Sequence, residues 1–346
     1  MITVVIPTVG RASLARTLAA LTPDRNEVAL AEVFVVDDRP DGTAEPLPVP
    51  EWAKVLRSGG RGPAAARNVG WRAAGTPWVV FLDDDVVPSP EWRWTLHTDL
   101  AGLPEEIGAS QARIVVPLPR DRAPTDAERN TAGLATAKWI SADIAYRREV
   151  LEYAGGFDEC FPRAYREDAD LALRVKAMGY RLVKGRRVSS HPVRRDGFWA
   201  SVRFQRGNAD DALMRHRYGP AWRDVIGGAR GRLRRHTLTT ASGMTSILAF
   251  ALFSAAKVRL RRTLAVCQAG DLIGKGRGTG TAAPVLVALG VGSGLTWLAY
   301  TAMFAWTRIA PGPRTAGEVA RMAVTSVVIP PVACAWRLYG EWKVRR

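Results

Sequence analysis

The sequence predicts an α/β fold in which a mostly parallel, Rossmann-like sheet is flanked by helices and followed by a helical, membrane-associating C-terminal region. Two observations predict this organisation. Over the first two thirds of the 346 residues, short apolar runs alternate with stretches of helical period, as in parallel sheets with crossover helices. The last third contains long uncharged apolar segments between basic residues, which is typical of membrane association.

The predicted strands and helices alternate along the chain. Runs rich in Val, Ile and Phe predict strands at residues 2–6, 33–36 and 78–82, and stretches of helical period predict helices at residues 11–21, 63–74 and 89–100. Residues 117–136 are rich in Pro, Arg, Asp and Ala and are predicted as a loop, after which a strand resumes at residues 139–146. A helix at residues 167–178 starts with acidic residues and stops at Gly179.

Polar residues directly follow the predicted strands, where parallel α/β sheets bind their ligands. They are Pro7, Thr8, Asp37, Asp38, Asp83, Asp84 and Asp85. Three consecutive carboxylates need a counter-charge, and no Lys or Arg adjoins them in the sequence. Mg²⁺ or Mn²⁺ supplies it, and Asp83 and Asp85 are predicted to point the same way along an extended strand. An acidic turn that caps the next helix is the alternative.

A glycine-rich segment, residues 58–68, lies between the two acidic sites and leads into a helix. Its small residues let a ligand approach closely, and Arg61 and Arg67 are candidate partners for the phosphates or hydroxyls of a donor. A solvated helix face is the alternative for these arginines. The lysine of a Walker motif is missing, which excludes a P-loop.

The acidic first turn of the helix at residues 167–178 is a candidate catalytic site. Asp168, or Glu167 in its place, is predicted to remove the proton from an acceptor hydroxyl; Glu167 is equally suited to bind that hydroxyl. His191 follows a further predicted strand and is a candidate third metal ligand, although a lone histidine is more often structural. Trp139 and Tyr165 are candidates for stacking on an acceptor sugar, and core packing explains them equally well.

Together these segments resemble the inverting glycosyltransferase family 2. The similarity lies in five segments in a matching order: VVIPT at residues 4–8, VVDD at 35–38, GPAAARNVG at 62–70, FLDDD at 81–85 and EDADL at 167–171. The resemblance extends from about residue 2 to residue 191. It implies a GT-A-like fold, a nucleotide-diphosphate sugar donor, and inversion by direct displacement.

Carried over residue by residue, the resemblance assigns roles to the candidate residues. It implies nucleotide contacts from Thr8 and from Asp37 or Asp38, and a donor contact from Arg67. It also implies metal binding by Asp85 with His191, and a general base at Asp168. Pro7, Arg61, Asp83 and Asp84 complete the candidate donor-binding set. The chain departs from the family where Arg39 and Pro40 follow the paired aspartates, which puts the contacts to base and ribose in question.

Charge is concentrated in the C-terminal third. The net charge is +16, and residues 228–346 contain 17 Lys and Arg against three acidic residues. Because these basic residues alternate with apolar runs, they favour an anionic membrane surface as a partner over nucleic acid. The three cysteines are widely spaced, which indicates neither a disulfide framework nor a zinc site.

Three regions are predicted: a GT-A catalytic domain at residues 1–220, a basic linker with an interfacial or re-entrant helix at residues 221–283, and a transmembrane helical hairpin with a basic tail at residues 284–346. Residues 237–256 and 284–306 are uncharged and long enough to span a bilayer. If the first stretch crossed, the six Lys and Arg of residues 257–277 would lie outside, against the positive-inside rule. The alternative is a helical subdomain that buries these segments.

The predicted function is sugar transfer, with inversion, from a nucleotide-diphosphate donor to an envelope glycan or lipid-linked acceptor. No signal peptide is recognisable at the N-terminus, so the catalytic domain is expected at the cytosolic face of the cytoplasmic membrane. A catalytically silent, membrane-tethered nucleotide-sugar-binding or scaffold protein is the main alternative. A nucleotidyltransferase is a weaker one, because residues 7–11 are a poor phosphate-binding loop.

Overall fold

The computed structural model describes residues 1–22, 29–41, 45–194, 197–228, 231–269 and 282–345. The chain divides into two compact units. The first comprises residues 1–196, 210–230 and 344–346, and the second comprises residues 197–209 and 231–343. The first unit overlaps the predicted catalytic domain at residues 1–196 and 210–220, whereas residues 197–209 group with the C-terminal helices and residues 221–230 with the first unit. The assignment of domain roles stays a prediction.

An eight-stranded sheet forms the centre of the first unit. Its strands are β1 (Ile2–Thr8), β2 (Glu32–Asp37), β3 (Lys54–Arg57), β4 (Trp78–Leu82), β5 (Val87–Pro88), β6 (Ile107–Val115), β7 (Asp143–Arg147) and β8 (Arg181–Ser190). Their order is β3-β2-β1-β4-β7-β6-β8-β5. The first four strands in this order are parallel, β7 runs antiparallel to both of its neighbours, and β8 is parallel to β6. The predicted α/β class with a mostly parallel sheet is confirmed.

Helices cover both faces of this sheet. Buried residues of α1 (Leu14–Ala20) and α3 (Trp92–Leu100) belong to the cluster on one face, and those of α2 (Pro63–Ala73), α5 (Arg148–Ala154) and α6 (Glu167–Ala177) to the cluster on the other. The chain also forms the helices α4 (Asp126–Ala132), α7 (Ala200–Arg203), α8 (Gly207–Tyr218) and α9 (Trp222–Val225), of which α7 belongs to the second unit. Val4 and Ile6 of β1 belong to the apolar cluster on one face, and Val5 between them belongs to the cluster on the other. β1 is therefore a continuous apolar run because it is buried on both sides.

Helix α2 packs very close to the sheet at Gly70. A Cβ atom at this glycine would lie 2.2 Å from Cγ1 of Val5 in β1, far inside van der Waals contact. Any larger residue would force the helix away from the sheet. Gly70 thus fixes the position of α2, and with it Arg67 one turn earlier in the same helix.

Two local predictions need correction. Residues 117–136, predicted as a loop, contain helix α4 and a short 3₁₀ turn, Gly133–Ala135. The start of α4 is a capping box between Thr125 and Glu128, a Thr-x-x-Glu signal that was readable in the sequence. The strand predicted from residue 139 begins only at Asp143, because the positive φ of 63° at Trp139 is incompatible with extended backbone.

The second unit is helical. Its long helices are α10 (Leu233–Ala269), α11 (Ala282–Ile309) and α12 (Ala316–Val344), and within the described residues all three are long and apolar enough to cross a membrane. Ile247 and Leu295 are 73% and 62% exposed, so α10 and α11 present large apolar side chains at the surface of the described chain, which the helical-subdomain alternative does not explain. The unit is therefore suited to membrane association.

Small residues lie where α10 packs against α11. Ser246 Oγ donates to the carbonyl of Gly290 at 2.8 Å, and added Cβ atoms at Gly243 and Gly290 would lie 2.8 and 3.0 Å from Trp297 and Phe250. Such close approach is typical of helix pairs in membranes. The stretch predicted as interfacial or re-entrant is part of the continuous helix α10, and its placement stays a prediction. The predicted hairpin corresponds to α11 and α12; linker residues 270–281 lie outside the described residues.

Candidate active site

Arg67 joins the end of β4 to the start of α6. Its guanidinium donates to Oδ1 of Asp83 and to Oε1 of Glu167, each at 2.8 Å, and only 1% of the residue is exposed. The ring of Phe157 lies 5.4 Å from the guanidinium carbon. Burial opposes the charge of Arg67, but Asp83 and Glu167 outweigh burial and raise its pKa. Arg67 is thus a permanent cation at the centre of the candidate site.

Glu167 and Asp168 are adjacent carboxylates in the first turn of α6. Burial and repulsion from Asp168 raise the pKa of Glu167 to about 8, and within the described structure its buried Oε2 has no hydrogen-bond partner. Asp168 accepts hydrogen bonds from the backbone N–H groups of Ser141 at 3.4 Å and Ala169 at 2.7 Å, and burial raises its pKa as well. A raised pKa brings a carboxylate towards the range that a general base needs.

Strained backbone lies on either side of this acidic pair. Arg166 has φ 79° and Trp139 has φ 63°, conformations that non-glycine residues adopt only when the surroundings impose them. The Arg166 guanidinium lies 4.3 Å from the ring centroid of Tyr165 and donates to its hydroxyl at 2.7 Å. The backbone N–H of Trp139 donates to Gln111 Oε1. Both candidate acceptor residues, Trp139 and Tyr165, therefore belong to loops next to the acidic pair.

The three consecutive aspartates do not continue β4. The strand ends at Leu82, and the Val86 N–H donates to the Asp83 carbonyl at 3.1 Å, which closes a turn. Side chains in a turn do not alternate as in a strand, so the predicted common direction of Asp83 and Asp85 is wrong. Each aspartate instead meets a different arginine from elsewhere in the chain.

Asp85 and His191 face each other. His191 Nε2 lies 3.6 Å from Asp85 Oδ1, which is buried and has no hydrogen-bond partner within the described residues. His191 Nδ1 lies 3.2 Å from the Pro192 carbonyl, which can only accept; with its single proton on Nδ1, the neutral imidazole would present a lone pair on Nε2. Two acceptors directed at one place fit a cation between them. In this structure Arg194 donates to the other oxygen, Oδ2, of Asp85.

The remaining predicted metal ligand is engaged elsewhere. Asp83 is held by Arg67, and among the described residues no group of three or more His, Cys, Asp or Glu is arranged to hold a metal ion. Burial raises the pKa of Asp85, but the hydrogen bond from Arg194 and the positive charges of Arg194 and Arg11 outweigh burial and lower it. Asp85 and His191 alone would fit a divalent cation only if its other ligands came from water or donor phosphate.

Asp84 connects β1 to the aspartate turn. The Thr8 hydroxyl donates to its Oδ2 at 2.6 Å, and Arg11 donates to its Oδ1 at 2.7 Å. Asp84 is only 1% exposed. Pro7 lies inside β1 opposite Val36 of β2. Thr8 and Asp84 thus hold two strand ends together, which positions the turn beside the candidate donor site.

The paired aspartates after β2 are also bound by protein groups. Two side-chain hydrogen bonds from Arg39 to Asp37, at 2.9 and 2.8 Å, lower the pKa of Asp37 despite its burial. Asp38 Oδ1 accepts from Ser58 Oγ at 2.7 Å and from the Gly62 N–H at 3.2 Å. The Arg39 that departs from the family pattern is therefore the ion-pair partner of Asp37.

Arg61 and Arg67 differ sharply in environment although they belong to one segment. The Arg61 side chain is 54% exposed and pairs with Glu159 at 3.1 Å, so a solvated surface explains it as well as a ligand does. Arg67 is buried between two carboxylates. The structure thus brings Arg67 into the cluster and leaves Arg61 at its rim.

A comparison with known proteins gives the family. Residues 3–154 match the family model described as "Glycosyl transferase family 2". The chain carries a glycosyltransferase family 2 domain. Four of the five motif segments fall inside the matched residues, whereas Asp168 and His191 lie beyond them and join the family 2 domain through the sheet and α6.

Similar proteins include a curated glycosyltransferase and several solved structures. The "Pre-mycofactocin glycosyltransferase" of Mycobacterium tuberculosis is 29% identical over 282 residues, 74% of this chain and 57% of that protein. The chain therefore spans little more than half the length of the curated relatives it matches. The structural match to S. aureus TarS covers 61% of this chain and 39% of the TarS chain, at 19% sequence identity and a TM-score of 0.39. A further match is glucosyl-3-phosphoglycerate synthase from M. tuberculosis in complex with Mn²⁺, UDP-glucose and phosphoglyceric acid. This match covers 67% of this chain and 81% of the synthase chain, at 18% sequence identity and a TM-score of 0.41.

Sequence reasoning missed three arginines of the site. Arg11 binds Asp84, Arg39 binds Asp37 and Arg194 binds Asp85. Only Arg39 had a local signal, because it lies two residues from its partner. Arg11 and Arg194 are 73 and 109 residues from theirs, so no spacing pattern points to them.

Proposed function

We propose that this chain transfers a sugar, with inversion, from a nucleotide-diphosphate donor to an acceptor hydroxyl, assisted by Mn²⁺ or Mg²⁺. The family 2 domain supports the reaction class. The observation that carries the proposal is the buried Arg67, which ties Asp83 after β4 to the acidic pair that opens α6. This contact supports a base close to the donor, which direct displacement requires.

Asp168 is the proposed general base. Glu167 is 1% exposed and bound to Arg67, whereas Asp168 is only partly buried and accepts hydrogen bonds from two backbone N–H groups. Asp168 takes the proton of the acceptor hydroxyl while the oxygen bonds to the anomeric carbon and the bond to the diphosphate oxygen breaks. Trp139 and Tyr165 border the space proposed for the acceptor.

Asp85 and His191 are the proposed protein ligands of the divalent cation. When bound, such a cation neutralises the charge that develops on the departing diphosphate. Thr8, Asp37 and Asp38 are proposed near the nucleotide, and Pro7, Arg61, Asp83 and Asp84 complete the donor side. Arg194, which donates to Asp85 Oδ2 in this structure, would be available to bind a donor phosphate if a cation took its place on Asp85.

The proposed setting is the cytosolic face of the cytoplasmic membrane. The three candidate membrane helices of the second unit and its basic residues support attachment to an anionic membrane. The proposed acceptor is an envelope glycan or a lipid-linked saccharide. The proposed regions are those of the sequence prediction: catalytic residues 1–220, linker 221–283 and hairpin 284–346.

The proposal is tested with purified full-length protein and a panel of UDP-, GDP- and dTDP-sugars. Membrane extract serves as acceptor, and reactions contain Mn²⁺, Mg²⁺ or a chelator. Turnover of one donor that requires the metal supports the proposal. If every donor fails both to bind and to react with extract present, the chain is a scaffold that retains the fold.

Asp85→Ala should weaken Mn²⁺ binding by at least about tenfold, because it removes a charged ligand with an otherwise unpartnered oxygen. The measurement is Mn²⁺ titration in the presence of UDP, followed by electron paramagnetic resonance, which needs no turnover. Arg194→Gln is the matched control: it keeps both ligands and removes a competing cation, so Mn²⁺ should bind at least as tightly as to the unaltered protein. Unchanged binding by Asp85→Ala would place the metal elsewhere.

The rate should fall on the acidic side of neutrality. A base works only when deprotonated, and the raised pKa values of Glu167 and Asp168 mean that protonation begins well above the ordinary carboxyl range. Since the proposed base Asp168 must lose its proton, we expect kcat/KM to rise with pH from above the ordinary carboxyl range and then level. Glu167→Gln removes a negative charge next to Asp168 and should shift the rise of kcat/KM to lower pH. A profile flat between pH 5.5 and 9 in both proteins contradicts the assignment.

A further inference from the structure

The second unit contains a cavity between the start of α10 and the end of α11. Its volume is about 350 Å³. Its basic wall is formed by Arg232, Arg234 and Arg235, and its largely apolar wall by Leu238, Tyr300, Met303 and Phe304. No carboxylate is among the described residues that line it. The cavity thus combines a cluster of guanidinium groups with a surface suited to carbon chains.

Phe304 is the point at which the two walls meet. The guanidinium carbons of Arg232 and Arg308 lie 5.8 and 5.5 Å from its ring centroid, and the His236 ring packs edge-on against it at 5.0 Å. Arg308 is buried and donates to Thr325 Oγ1 at 2.8 Å. The apolar wall is therefore held in place by aromatic and cation–π contacts inside a strongly positive region.

Helix stability does not explain the three arginines. They precede or open α10, whose first turn contains no acidic residue, although the positive end of a helix dipole favours anions and disfavours cations. Within the described part of the chain, none of the three forms an ion pair with a carboxylate. Like charges gathered at an unfavourable helix end, with no carboxylate partner among the described residues, fit an anion supplied from outside the chain.

We propose that this cavity binds the phosphate headgroup of an anionic membrane phospholipid. The arginines contact the phosphate, and Leu238, Met303 and Phe304 contact the glycerol and the first acyl carbons. The uncharged part of α10 starts at Thr237, so the cavity lies at the end of a candidate membrane span, at the level of lipid headgroups. A free phosphate would leave the apolar wall exposed. This binding does not depend on sugar transfer.

The test uses delipidated full-length protein in a neutral detergent and measures lipid binding by native mass spectrometry. We expect phosphatidylglycerol to bind more tightly than phosphatidylcholine. The triple variant Arg232→Gln, Arg234→Gln, Arg235→Gln should lose this preference, with affinity for phosphatidylglycerol lowered roughly 10- to 100-fold. The matched control removes three exposed charges from the same helix, with Lys257→Gln, Arg261→Gln and Arg262→Gln, and should retain most of the binding.

A second variant tests the apolar wall without a change of charge. Met303→Trp fills the cavity and should also weaken phosphatidylglycerol binding, while circular dichroism shows unchanged helix content. Three outcomes overturn the proposal: equal losses in the triple variant and its control, displacement of the lipid by inorganic phosphate at equal concentration, or preferential binding of a polyprenyl phosphate over phosphatidylglycerol. The first indicates diffuse surface charge, the second a simple anion site, and the third a lipid of another class.

Discussion

Asp168→Asn should lower kcat by about 10²–10⁴-fold while the affinity for the donor changes little. The substitution keeps the shape of the side chain. Its single amide oxygen can still accept one of the two hydrogen bonds that the N–H groups of Ser141 and Ala169 donate to the two carboxylate oxygens. The amide, however, cannot accept the acceptor proton as a carboxylate does. The measurement is kcat with whichever donor of the panel is turned over, together with donor binding by calorimetry.

The controls for Asp168→Asn separate catalysis from structure. Asp121→Asn makes the matched change at an exposed position and should leave kcat unchanged. Glu167→Gln should lower activity less than Asp168→Asn if Asp168 is the base. The opposite ranking, with folding intact in both variants, would move the base to Glu167 and leave Asp168 as the group that binds the hydroxyl.

Arg187→Met should destabilise the first unit by about 3–5 kcal/mol, because the buried carboxylates of Asp99 and Asp143 would lose their positively charged partner. Arg187 and Asp143 are fully buried and paired at 2.9 Å. Arg187 also donates to the Ser110 carbonyl at 2.6 Å and lies 3.4 Å from Asp99. The contacts tie β6, β7 and β8 together where β8 leads to His191. The measurement is urea unfolding of the detergent-solubilised chain.

A double variant tests whether Arg187 and Asp143 stabilise the fold as a pair. Asp143 also accepts hydrogen bonds from Trp92 and Ser189, each at 2.6 Å, so Asp143→Asn keeps part of its network while it removes the charge. Combined with Arg187→Met, it should cost less than the sum of the two single changes. Lys54→Met breaks an exposed pair with Glu32 and should cost less than about 1 kcal/mol. Additive losses would show that Arg187 and Asp143 stabilise the fold independently.

Local patterns in the sequence were sufficient for the central strands and the candidate residues that follow them. β1, β2 and β4 are apolar runs buried on both faces, and parallel strands bring their carboxyl ends to one edge. The aspartates after β2 and β4 were therefore identifiable. The capping box of α4 was equally local, and its omission was an error of interpretation and not a lack of signal.

The sequence by itself determined the α/β class, the acidic motifs at the strand ends, the acidic start of α6 and the apolar segments that became α10, α11 and α12. Only the tertiary structure decided which charges meet. Arg67 reaches Glu167 across 100 residues, and Arg194 reaches Asp85 across 109. Periodicity and spacing report contacts between near neighbours, whereas these ion pairs depend on strand order and on the close packing of α2 at Gly70. That is why the residues of the site were visible in the sequence and their partners were not.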